Sequence, residues 1–294
     1  MKSKYIQQYR ILVKSNFLLF FLFISFGIIS CSEEVDLVLD EGFTRLVVEG
    51  QISTDTTRHL IKIRTSSSYF YTEIPPVVSG ASVKITDGTN VFNLTEMPVG
   101  SGNYYTDSTV FGSIGKNYQL LIDNVDIDKN GKNESYSGQD KILPAWQLDS
   151  VVAKYKQRKD GSEGYEVLAF GTEPGGHSDF YMWSYYINGK LGSDSLYKSS
   201  STDDQFFNGI YVPGVPIFNF IEANEGDTLL IETQSISEDY YKFTFALFTE
   251  AFFGGGGIMG PPANVPSNVK ENAMGYFKTF AVTRNTCIVP KKAK

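Results

Sequence analysis

Cysteine, histidine and tryptophan are scarce, with two of each in 294 residues. Two cysteines exclude the multi-bridge framework that staples small secreted domains. The two imidazoles, His59 and His177, have no local signature tying either to Cys287, so no cysteine–histidine nucleophile is indicated. Basic charge is scarce as well. Residues 1–30 carry Lys2, Lys4, Arg10 and Lys14 and no acid, which leaves the remaining chain 22 basic against 33 acidic residues, a net charge of −11. Such a body repels phosphate backbones and anionic membrane surfaces, so nucleic-acid binding and attachment through a basic patch are both disfavoured. Long apolar runs are missing too. The longest, Phe17 to Ser30, falls short of the ~20 residues that span a bilayer. No repeat of about 20–50 residues recurs.

What is present is a leader and a β-rich body. The hydrophobic share of 41% and charged share of 20% suit a folded globule, and 22 Phe, 18 Tyr and 27 Gly lean toward strands and turns. Residues 1–30 combine a basic start with a short apolar core, the pattern of a secretory signal peptide. Directly after it, Ile28-Ile29-Ser30-Cys31 resembles the bacterial lipobox, with Ile29 bulkier than the usual occupant. That resemblance implies a diacylglyceryl group on the Cys31 thiol, cleavage before Cys31, and a palmitate or similar acyl chain on the new amine. Two or more chains, at ~0.8 kcal/mol per buried methylene, give stable anchoring. Residues 31–45 would then be a lipidated tether. Within it, Ser32-Glu33-Glu34-Val35-Asp36 looks like the signal that sends Bacteroidetes lipoproteins to the outer face of the outer membrane; a solvated linker explains the same letters. With Cys31 acylated, only Cys287 remains. No internal disulfide can form, and a thiol in the β-branched stretch Thr286–Val289 reads as buried in a strand.

Residues 46–145 read as a β-sandwich. Leu46–Ile52, His59–Arg64, Ala81–Ile85, Val91–Leu94, Gly102–Tyr105 and Tyr118–Ile122 alternate or run apolar, with turn residues between them. The succession Val-x-Gly-x-Ile, Ala-x-Val-x-Ile and Gly-x-Tyr is similar to transthyretin-like and carboxypeptidase-regulatory-like modules. Pro144 marks a boundary. Residues 146–290 read as a second β-rich domain, with strands near Leu148–Tyr155, Tyr165–Phe170, Phe180–Ile187, Thr228–Thr233 and Gly275–Val282, and a hairpin turn at Asn188-Gly189. One helix is expected over about 236–251. Ser235 and Glu238 have capping-box spacing, and Tyr240, Phe243, Leu247 and Ala251 form a stripe that would cover a sheet face.

Four patterns invite chemistry. Asp126, Asp128 and Asn130 with Gly131 match the first half of a calcium loop, but the twelfth position is Ser137 and no helices flank it; a turn between strands accounts for the same residues. Gly254–Gly257 lacks the Gly-Lys-Ser/Thr ending of a phosphate loop. Gly176-His177-Ser178-Asp179 holds three catalytic residue types in a row, yet triad members converge from separate parts of a fold, so a surface turn is the better reading. Tyr181, Trp183 and Tyr185 would share one strand face, as core or as a sugar-stacking platform. No catalytic set, cofactor motif or metal site emerges; the one site residue is Cys31.

The mature chain resembles the Bacteroidetes envelope lipoproteins catalogued as domain of unknown function 4249. The resemblance rests on Leu46–Ile52, Val78–Val83, Leu148-Asp149-Ser150, and above all Asn264–Phe277 with Pro266-Ser267-Asn268 and Ala273–Phe277. It implies an outer-membrane address and, as a partner, a TonB-dependent transporter. The expected function is therefore a non-enzymatic, lipid-anchored binding or accessory protein. An envelope glycan hydrolase and a structural or adhesive surface module are the alternatives.

Overall fold

The computed structural model describes residues 44–67, 74–195, 198–253 and 265–292. The leader, Cys31, the acidic cluster at 32–36 and the glycine run 254–257 lie outside the described residues. The fold is mainly β, with one helix among the described residues.

The first half supplies β1 (Leu46–Ser53), β2 (Leu60–Thr65), β3 (Ser82–Thr86), β4 (Val91–Asn93), β5 (Thr95–Glu96), β6 (Asn103–Tyr105), β7 (Asn117–Val125) and β8 (Glu134–Lys141). β4-β3-β7-β8 form one sheet; the other has the order β16-β1-β2-β6-β5 and borrows β16 (Met274–Phe280) from near the C-terminus. Alternation decides which residues go inside. In β1, Leu46, Val48 and Ile52 are buried while Glu49 and Gln51 face out. Their partners across the sandwich include Val83, Ile85, Leu120 and Ile122, and Phe277 of β16 completes this core. β1 and β16 run parallel, with Val47 opposite Met274 and Gln51 opposite Lys278. The pairing needs Gly275, which has a φ of +91° and where a Cβ would stand 2.0 Å from the Val48 carbonyl oxygen.

The second half supplies β9 (Ser150–Gln157), β10 (Glu163–Thr172), β11 (Phe180–Ile187), β12 (Lys190–Leu191), β13 (Ser200–Asp203), β14 (Tyr211–Ile221), β15 (Thr228–Ile236), α1 (Glu238–Phe253) and β17 (Val282–Ile288). Sheets β14-β10-β9 and β12-β11-β15-β17 enclose a second core around Trp146, Tyr165, Trp183 and Ile231. The Asn188-Gly189 turn has positive φ at both residues (50° and 79°), as the hairpin required. Among the described residues, the members of both cores lie between Leu46 and Val289, all of them within a chain starting at Ser32.

One expectation needs correction, and one strand was not expected. The helix begins at Glu238, and its cap is Ser237, whose Oγ accepts the Tyr240 N–H at 3.3 Å. Ser235 is still inside β15; its Oγ donates to Leu143 O and accepts the Ala281 N–H, tying the two halves together. Strand β14 went unread because Pro213 and Pro216 argue against a central strand. It lies at a sheet edge, where irregular register against β10 accommodates both prolines.

Candidate functional site: a groove between the helix and the first sheet

The outward face of the β16-β1-β2 sheet would be an ordinary wet surface without α1. Period-two alternation puts Met274, Tyr276, Lys278 and Phe280 of β16 on that face, beside Val47, Glu49 and Gln51 of β1 and Leu60 and Lys62 of β2. The helix lies along β16. Tyr240 and Phe243 pack on Tyr276, with ring centroids 5.0 and 5.1 Å away. The space left between helix and sheet is a groove of about 580 Å³, in the range of small-molecule sites. Its lining is chiefly apolar and aromatic, from Val47, Leu60, Phe243, Leu247 and Met274 among others. The stripe expected from the sequence therefore covers a sheet face through Tyr240 and Phe243, but incompletely: Leu247 borders open space and Ala251 is exposed.

Two lysines line this groove: Lys62, which is paired with Glu49, and Lys278, which sits at the end nearest the start of α1. Lys278 is 8% exposed. Its Nζ donates to Gln234 Oε1 at 2.9 Å and stands 4.2 Å from the Phe280 ring centroid and 5.1 Å from that of Tyr240. Burial pushes its pKa down to about 8, against the pull of Glu232, Asp140 and Glu49. Those acids have other partners. Glu232 accepts from Arg284 at 2.7 Å, Glu49 pairs with Lys62 at 3.1 Å, and Asp140 accepts the Thr279 N–H at 2.8 Å. Burial also raises the Tyr240 phenol to about 12, so it stays protonated at neutral pH.

A second cluster lies in the other half. Glu173, Asp179 and Asp204 are buried with carboxylate oxygens all within 4.8 Å of one another. Glu173 accepts the Tyr181 O–H at 2.7 Å and the Gly175 and Gly209 N–H groups at 2.9 and 2.6 Å. Asp204 accepts from Asn208 Nδ2 at 2.6 Å. Among the described residues, the one ion-pair contact of Asp179 is with the ring nitrogen Nε2 of His177, 4.0 Å away and largely exposed. Burial, with the adjacent Glu173 and Asp204 charges, raises the Asp179 carboxyl above its ordinary range. Oxygens so placed are the kind a hard cation takes, and protonation of Asp179 relieves the same repulsion. The trio is too covered to seat a sugar ring.

The profile of a family described as Domain of unknown function (DUF4249) matches residues 32–286. The chain belongs to this family. No curated protein matches it.

The segments that carried the family resemblance have structural tasks. Leu46–Ile52 is β1. Val78 and Ala81 hold the buried Tyr104 hydroxyl, which donates to Val78 O and accepts the Ala81 N–H. Asn268 bridges two strands, donating to Gln139 O and Phe277 O while accepting the Phe277 N–H. Met274, Gly275 and Tyr276 also line the groove.

The other sequence candidates do not converge on it. Asp126, Asp128 and Asn130 sit in the exposed turn between β7 and β8, where both Asp126 oxygens accept the turn's own N–H groups. The turn at 176–179 does precede β11, but Asp179 is buried rather than on the surface. Tyr181, Trp183 and Tyr185 face the second core, which removes the sugar platform. His59 is buried against Val110 O, while Cys287 is half-buried beside the second core, where burial raises its thiol. Sequence reading missed Lys278 altogether. Its signal was a lone lysine in Tyr276-x-Lys278-x-Phe280, a charge on an otherwise aromatic strand face.

Proposed function

We propose that the protein is a lipid-anchored lipoprotein of the outer membrane that holds a small apolar ligand in the groove under α1, with no covalent chemistry of its own. The observation that carries the binding role is the groove: a concave, mainly apolar site with few polar groups and one perturbed lysine, the combination expected of a ligand site. The anchor reading is supported by the signal-peptide pattern of residues 1–30 and by the lipobox resemblance of Ile28–Cys31. A TonB-dependent transporter is the partner this reading proposes.

The test uses the chain from Ser32 onward and the neutral fluorophore N-phenylnaphthylamine, which brightens in apolar sites. Wild type is expected to enhance its fluorescence saturably, and L247E, at the groove wall, to abolish the effect. F245E alters a helix residue that is 68% exposed and does not line the groove, and should leave the effect intact. No enhancement by wild type, or equal enhancement by L247E, would overturn the proposal.

A further inference from the structure

We propose that the ligand of this groove is a single-chain carboxylic acid, a free fatty acid, with its carboxylate on Lys278 and its chain running along β16 and β1 toward Leu247. The inference rests on the groove being a ligand site and adds the chemistry of what fills it.

Shape comes first. The groove extends from Lys278 and Gln51 at one end to Met274 and Val47 at the other, along parallel strands in register. Four residues of strand span about 13 Å. The helix runs over the same path, from Tyr240 near Lys278 through Phe243 on Tyr276 to Leu247. Leu60 and Lys62 of β2 also line the groove, so what the shape contributes is length and apolar walls, which an extended aliphatic chain can follow.

Charge comes second. An ammonium has three N–H donors and no acceptor. Lys278 has one hydrogen-bond acceptor among the described residues, Gln234 Oε1, and no carboxylate within ion-pair distance. A buried cation in that state is costly unless a counter-charge reaches it. The neighbouring acids are committed elsewhere: Glu232 to Arg284, Glu49 to Lys62, Asp140 to backbone N–H groups. Lys278 is one of the residues that line the groove, and its ammonium lies beside the Tyr240 ring at the same end. A carboxylate arriving there would gain a charge-assisted hydrogen bond in a desolvated site. The acids nearby also set the headgroup. A monoanion balances one ammonium, whereas a phosphate dianion would add repulsion from Glu49, Asp140 and Glu232.

The experiment displaces N-phenylnaphthylamine from the chain starting at Ser32 with decanoate and, as a neutral match of the same length, decanol. The expected result is displacement by decanoate at a concentration at least about tenfold lower than by decanol, the ratio one charge-assisted hydrogen bond supplies. K278M is expected to remove that preference while decanol still displaces the probe. The wild-type comparison stands without the variant, should K278M misfold. Equal displacement by both ligands would overturn the fatty-acid assignment and leave an apolar groove site standing. A probe that never binds wild type would overturn the groove reading and this inference together.

Discussion

Phe277→Ala asks whether the two sandwiches behave as one cooperative body. Phe277 is fully buried in the first core, yet comes from β16, which continues through Ala281 into β17 of the second. Truncation removes a whole aromatic ring from a site whose wall on β8 is Gly138, with Val269 packed alongside. Little can collapse into the space. A substitution of this kind costs about 3–5 kcal/mol, a large part of the ~5–15 kcal/mol that a typical domain possesses. Both tryptophans, Trp146 and Trp183, lie in the second core, so their fluorescence reports only that half. In urea, with a slope of about 2–3 kcal/mol/M, the tryptophan midpoint should fall by roughly 1–2.5 M if the halves unfold together. The mechanical links are specific: the β16–β17 continuity, and Ser235 Oγ joining Leu143 O to Ala281 N. An unchanged tryptophan midpoint, with a separate earlier loss of β signal in circular dichroism, would refute the coupling.

Other consequences follow from single groups. Asp179 has a raised carboxyl pKa, so the folded state binds more protons than the unfolded one between 3.8 and the folded value, and stability is lost as pH rises through that window. Asp179→Asn should therefore melt higher than wild type at neutral pH, with the gap closing toward pH 4; a variant less stable at neutral pH contradicts this account. Lys278 has the opposite linkage. Its folded pKa of about 8 lies below 10.5, so the unfolded state binds the extra proton between those values and stability rises across them. Lys278→Met should gain up to about 3 kcal/mol below pH 8 and progressively less toward pH 10.5, read from denaturant curves in the absence of ligand. Ser237→Ala removes the helix cap and should cost about 1 kcal/mol in thermal melts, together with weaker probe binding in the groove; an unchanged melt would show that Ser237 does not hold the helix start.

Local pattern carried most of the strands. Leu46–Ile52, Phe180–Ile187 and the Asn188-Gly189 hairpin were legible because period-two burial and positive-φ turn residues are written within a few positions of one another. Strand β14 was hidden by prolines that only an edge position tolerates. The helix was legible and its cap was not, because Ser235 and Ser237 both precede acidic residues and only tertiary contacts decide which is still strand. The groove could not be read at all. It needs Val47 beside Met274, a parallel pairing between the two ends of the body that no local periodicity announces. The acid trio is scattered in the same way: Glu173, Asp179 and Asp204 sit at the ends of three strands, and only β11 pairing with β13 brings the last two together.

The central claim is that an acylated Cys31 holds an otherwise acidic, water-facing body at a membrane. Mass spectrometry of the amino-terminal peptide, taken from protein extracted from its native cells, tests it most directly. The account predicts a chain beginning at Cys31 and carrying diacylglyceryl and amine-linked acyl mass. A bare thiol at Cys31, or a peptide that retains Phe17–Ser30, would contradict it.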